Sequence, residues 1–160
     1  MLVRVGDWCF RVDMEETMEY SAAEAAEHCD CAYCRNFYAS VDKVYPEFRP
    51  FLANFGIDIE APEILMPFTP TCYLAVYCVK GAILSAGKEP LSVCGINVEA
   101  EPGDEDGVWQ ECFTLRVGEF SLPWVLNEPA EDVISPANLP SFLDEMRRQL
   151  IHQDPDTPVT

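Results

Sequence analysis

Three thiols and an imidazole fall within the run His28-Cys29-Asp30-Cys31-Ala32-Tyr33-Cys34. Thiolates are good zinc ligands, and a structural zinc site takes four donors. Cys29, Cys31 and Cys34 would supply three of them from one loop and the start of a helix. His28 is poorly placed to join, because adjacent residues point apart. Cys72, Cys78, Cys9 or a carboxylate would have to supply the fourth. No second Cys-x-x-Cys occurs, so the pattern falls short of a four-cysteine zinc ribbon. An iron–sulfur cluster would likewise need a fourth cysteine close in space. The rival chemistry is thiol redox work at Cys31-Ala-Tyr-Cys34. A helix N-terminus acidifies the first thiol of such a pair. A thioredoxin-like pair follows a strand, however, and this one lies between expected helices. The plainest alternative is packing, with Cys34 acting as a small apolar side chain.

Arg35 and Asn36 follow directly. Arg35 is a scarce cation that can balance carboxylates or metal-bound thiolates, and Asn36 can hydrogen-bond a neighbouring backbone. Such residues more often pin a loop against a helix. The only other histidine is His152, close to the C-terminal end. No nucleophilic triad, Gly-x-Ser-x-Gly, His-Glu-x-x-His or phosphate loop is present. Asp104-Glu105-Asp106 lacks the ligand spacing of an EF-hand and reads as a solvated loop.

Charge narrows the partners. The 160 residues hold 28 Asp+Glu against 10 Lys+Arg, a net charge of −18. That field repels nucleic acid and anionic membrane surfaces, and is compatible with a basic partner protein or a divalent cation. Apolar residues make up 49%, enough for a packed core. No apolar run reaches the roughly 20 residues of a membrane helix. The first residues do not read as a signal peptide. The expectation is a soluble, cytoplasmic protein whose eight cysteines are mostly reduced.

The elements that must position the cluster follow from periodicity. Residues 2–12 alternate around Gly6-Asp7 and predict a strand pair. Residues 14–20 are ambiguous between helix and strand. Ser21 and Glu24 form a Ser-x-x-Glu capping box that predicts a short helix over 22–28. Asp30 is the expected cap of a second helix over 31–44, with Tyr33, Phe37, Val41 and Val44 inward. Phe48, Phe51, Leu52 and Phe55 continue the helical spacing, with a break or a fresh start expected at Pro50 and a stop at Gly56. Residues 57–70 hold three prolines and read as a connector. Cys72–Val79 is apolar on both faces and predicts a central strand. Residues 91–100 predict another strand with a bend at Gly95. Residues 113–122 read as a strand pair around Gly118-Glu119. A last helix is expected from Asn138-Leu139-Pro140 to about 151, burying Phe142, Met146 and Leu150.

The segment His28-Cys-x-Cys-x-Tyr-Cys-Arg-Asn-Phe-Tyr38, followed by Tyr45-Pro46, Phe51-Leu52 and Phe55-Gly-Ile-Asp58, resembles a family of small bacterial proteins without an assigned function. Pro62-Glu63, Pro123-Trp124-Val125-Leu126 and Ser135-Pro136-Ala137-Asn138 extend the resemblance over most of the chain. It implies a bacterial cytoplasmic origin and transfers no catalytic residue.

The sequence therefore predicts one α+β domain over 1–152 and a frayed tail over 153–160. A mainly antiparallel sheet would be packed by the early helical segment and the C-terminal helix. The expected function is a non-enzymatic, acidic interaction or regulatory module with structural zinc at Cys29, Cys31 and Cys34. The alternative is a thiol-dependent redox enzyme using Cys31 and Cys34. An exposed strand edge near 113–122 would make a homodimer reasonable.

Overall fold

The computed structural model describes residues 1–103 and 111–130. All of them belong to the compact unit Met1–Ala130. The expected acidic loop at Asp104-Glu105-Asp106, the last helix, the tail and His152 lie outside the described residues.

Two short strands open the chain, β1 (Leu2–Val5) and β2 (Trp8–Val12), joined through Gly6 at φ +56°. Three helices follow: α1 (Met14–Ala26), α2 (Ala32–Val44) and α3 (Phe48–Ala53). Then come β3 (Ile64–Thr69), β4 (Cys72–Ser85), β5 (Leu91–Val93), β6 (Ile96–Pro102) and β7 (Cys112–Ser121). The seven strands form one sheet in the order β1-β2-β4-β7-β6-β5, with β3 also paired to β4. Every pairing is antiparallel. The expected α+β class with a mainly antiparallel sheet is thus present.

The centre is β4. Its 14 residues pair with β7 along one side, while β3 and β2 share the other. Tyr73, Ala75, Tyr77 and Val79 point inward and are fully buried. They meet Phe10, Phe37, Phe48, Phe55, Phe113 and Phe120, all likewise buried. The rings interlock mostly edge to face: Phe37 and Phe48 stand 5.2 and 5.0 Å from Phe120. Such offset pairs add attraction beyond the area they bury. Gly81 lets β2 cross β4 closely. It sits at φ +149°, and a Cβ there would collide with the carbonyl oxygen of Arg11.

Several expectations are corrected. The first helix starts at Met14, where Asp13 accepts from the Glu16 amide at 3.0 Å, so 14–20 are helical. Ser21 lies inside that helix and caps nothing; its buried hydroxyl accepts from the Asp58 amide at 2.8 Å. Cys31, not Asp30, is the N-cap of α2. Val44 is exposed at the far end of α2. Helix α3 begins at Phe48 and runs through Pro50 without a break. Proline is tolerated there because the first-turn N–H groups have no intrahelical acceptor. The connector over 57–70 contains β3, an edge strand, where Pro67 costs no central ladder bond. Residues 113–122 form one long strand, not a pair. Its register shifts at Glu119, between Leu74↔Gly118 and Tyr73↔Phe120. That strand lies between β4 and β6, so the free edge expected near 113–122 is not there. No helix of the described residues is long and apolar enough to cross a membrane.

Candidate metal centre

The cysteines sit where α1 hands over to α2. The first helix ends at Glu27, its C-cap, and residues 28–30 carry no regular structure. Cys31 then takes an extended backbone at φ −71°, ψ 163°, and its carbonyl accepts from the Arg35 amide at 3.0 Å to open α2. This explains the spacing. An N-cap side chain and the side chain three residues later face each other across the first turn. Cys31 and Cys34 occupy those two positions, and the irregular loop brings Cys29 back over them. The three Sγ atoms all lie within 4.8 Å of one another. Cys29 and Cys31 are exposed, whereas Cys34 is buried.

The thiols are electrostatically unequal. Partial burial opposes ionisation of Cys31, but the Cys34 amide and the neighbouring thiols of Cys34 and Cys29 outweigh it. Its thiol is held below the ordinary range. No side chain forms a capping hydrogen bond with α2, yet the Cys34 amide is close enough to the Cys31 sulfur to favour the thiolate. Cys34 goes the other way. Burial, then the thiol and the charge of Cys31, push it well above the ordinary range.

Arg35 and Asn36 hold this end of the molecule together by different means. Arg35 reaches back, donating from Nε to the Asp30 carbonyl at 3.1 Å. Its two terminal nitrogens donate to both carboxylate oxygens of Glu128, at 3.2 and 2.8 Å. The Asp30 carboxylate lies 3.7 Å from the same guanidinium. Asn36 is fully buried. Its amide nitrogen donates to the Tyr73 hydroxyl at 3.1 Å and the Pro123 carbonyl at 3.0 Å, and its oxygen accepts from the Val125 amide at 2.8 Å. A fully satisfied buried amide of this kind fixes one arrangement of the segments it joins. Here these are α2, β4 and the strand exit at 123–125.

Among the described residues, none of the expected fourth donors joins the group. The His28 ring lies tilted against Tyr38, 4.9 Å between ring centres, with Nδ1 at 3.2 Å from the Cys29 carbonyl. Cys72 lies beside Glu119 at 3.8 Å, Cys78 beside Cys112, and Cys9 in β2 opposite Arg4. Among the described residues, the group is three thiols and can hold a metal ion.

A second polar group lies elsewhere, on the other face of β4. Tyr20 of α1 donates to Glu63 at 3.0 Å, and the Lys80 ammonium sits 4.6 Å from the Tyr20 ring centre. Burial pushes the Cys78 thiol up to about 12, helped by Cys112 and Glu63, and burial also raises the Glu63 carboxyl. These residues come from four separated stretches with no short-range spacing, so the sequence offered no signal for them.

No protein-family model, curated protein or solved structure matches this chain.

Proposed function

We propose that this chain is an acidic, non-enzymatic interaction or regulatory module whose cysteine loop is fastened by zinc at Cys29, Cys31 and Cys34. The observation that carries the reading is the convergence of three thiols, two exposed and one buried, within 4.8 Å. Once ionised, three thiolates at that range repel one another, and a bound cation offsets that cost. Zinc suits the donors, since sulfur ligands favour soft and borderline ions over magnesium or calcium. Arg35 and Glu128 close the loop at its base. The net charge of −18 favours a basic protein partner over nucleic acid or an anionic membrane in a bacterial cytoplasm.

Elemental analysis with native mass spectrometry of untagged protein tests this. One zinc per chain is expected. Cys29→Ser and Cys34→Ser should each lose it and lower the melting temperature by comparable amounts. Unchanged melting in both variants, with no metal in the parent, sinks the reading.

One observation favours a second reading. Cys31 is exposed at the N-cap of a helix, with Cys34 buried beside it. This is the placement of an attacking thiol and its resolving partner. The Cys31 thiolate would attack a substrate disulfide, release one substrate thiolate and form a mixed disulfide. Cys34 would then displace the second, leaving Cys31–Cys34 oxidised and the substrate as a dithiol. Under this reading Cys31→Ser abolishes thiol exchange and leaves the fold intact. A metal that survives purification and blocks exchange would count against it.

A further inference from the structure

Resting on the metal reading above, we propose that the ion held by Cys29, Cys31 and Cys34 keeps one coordination position facing solvent, and that an imidazole from outside this chain fills it.

Geometry supplies the open position. Zinc takes four donors, and sites with three protein ligands leave the last for water or an incoming group. The described residues bring three thiols together and no fourth cysteine, histidine or carboxylate. The nearest alternatives are engaged elsewhere. His28 packs on Tyr38 with Nδ1 toward the Cys29 carbonyl. Both oxygens of Glu128 bind Arg35, and Asp30 faces the same guanidinium. Burial gives the direction. Cys34 closes the side toward the core, while Cys29 and Cys31 are exposed, so an incoming group approaches from their side.

Charge selects the donor. Three thiolates around a divalent ion already carry about one net negative charge. The chain around them is strongly acidic, and Arg35, the cation beside Cys31, is already matched by Asp30 and Glu128. A fourth thiolate or a carboxylate would add an uncompensated charge to that field. A neutral nitrogen donor adds none, and imidazole is a good ligand for a borderline ion. The imidazole could be that of a partner protein's histidine or of a small molecule.

Cobalt(II) substitution in the full chain, reduced and free of oxygen, tests this. Thiolate-to-cobalt charge-transfer absorption reports bound sulfur, and the visible d–d bands report the remaining donor. Expected is a spectrum with charge-transfer intensity in proportion to three thiolates, lost together with the metal in Cys29→Ser. Its d–d bands should shift saturably as imidazole is added, in the parent and equally in His28→Ala and His152→Ala. A histidine-containing peptide that acts at lower concentration than imidazole assigns the donor to a protein partner; an equal response assigns it to a small molecule. The proposal is overturned if imidazole leaves the bands unmoved. It is equally overturned if either histidine variant changes the starting spectrum, since the fourth donor is then internal. Absence of any thiolate-to-cobalt band overturns the metal reading itself, a result distinct from the other two.

Discussion

The chain carries two groups of neighbouring cysteines, and they differ in almost everything but the thiol itself. Cys29, Cys31 and Cys34 stand at a helix start, with two of the three exposed. Cys78 and Cys112 stand side by side on β4 and β7, both buried. At the helix start, a backbone amide and neighbouring thiols lower Cys31. On the sheet, burial raises both thiols and the amides are spent on the ladder. The difference teaches that thiol chemistry here is set by the free N–H groups of a helix end and by access to solvent. Cysteine count alone would not separate the two groups.

The largest test asks whether the helix-start group depends on the sheet. Asn36 is the joint between them, and Asn36→Ala removes three hydrogen bonds from a fully buried site. Chemical denaturation should show a loss of about 2–4 kcal/mol, the range for breaking a buried polar network. An unchanged midpoint would mean that the two regions are energetically separate.

The next effect belongs to the sheet. Cys78 rises from an ordinary thiol value of 9.0 to about 12, and burial holds the Tyr77 hydroxyl well above its usual range. For groups raised in the folded state, the unfolded chain loses its protons first. Stability is therefore intact below the unfolded value and falls as pH climbs past it. Between about pH 9 and 12, Cys78 alone should remove on the order of 1 kcal/mol per pH unit. Cys78→Ala should flatten that part of the curve. A decline of equal slope in the variant would remove Cys78 as the cause.

The smallest effect is kinetic. In metal-free, reduced protein near pH 8, a thiol-alkylating reagent should modify Cys31 at least about tenfold faster than Cys78, because thiolate fraction and access both favour it. Peptide mapping by mass spectrometry reads the two rates. Equal rates would erase the contrast between the groups.

How much of this was legible beforehand follows from the range of the forces involved. The cysteine cluster could be read because its members are at most five residues apart, so a short loop and the first turn of α2 bring them together. Strand β4 could be read because its inner and outer residues alternate through Val79. The start of α1 was missed because Asp13, not Ser21, satisfies its first amides, while Ser21 serves a distant one at Asp58. Strand β3 was hidden by Pro62, Pro67 and Pro70, whose local preference yields to pairing with β4. The pair read over 113–122 is one strand because a bulge at Glu119 absorbs the irregularity that Gly118 suggested. Arg35 was legible as a cation and Asn36 as a backbone binder. Their partners at Glu128, Tyr73 and Pro123 were not, since those lie far along the sequence.

Trp124 gives the cysteine loop a built-in optical readout. Its ring lies 5.9 Å from that of Tyr33, edge to face, and its indole nitrogen donates to the Glu128 carbonyl at 2.8 Å. Tyr33 sits between Cys31 and Cys34, and Glu128 holds the Arg35 that clamps the loop. An event at the thiols therefore acts on the same few residues that set the indole's surroundings. The Trp124 share of the intrinsic emission is thus expected to follow the loop without a label, on top of that of the other two tryptophans, at positions 8 and 109.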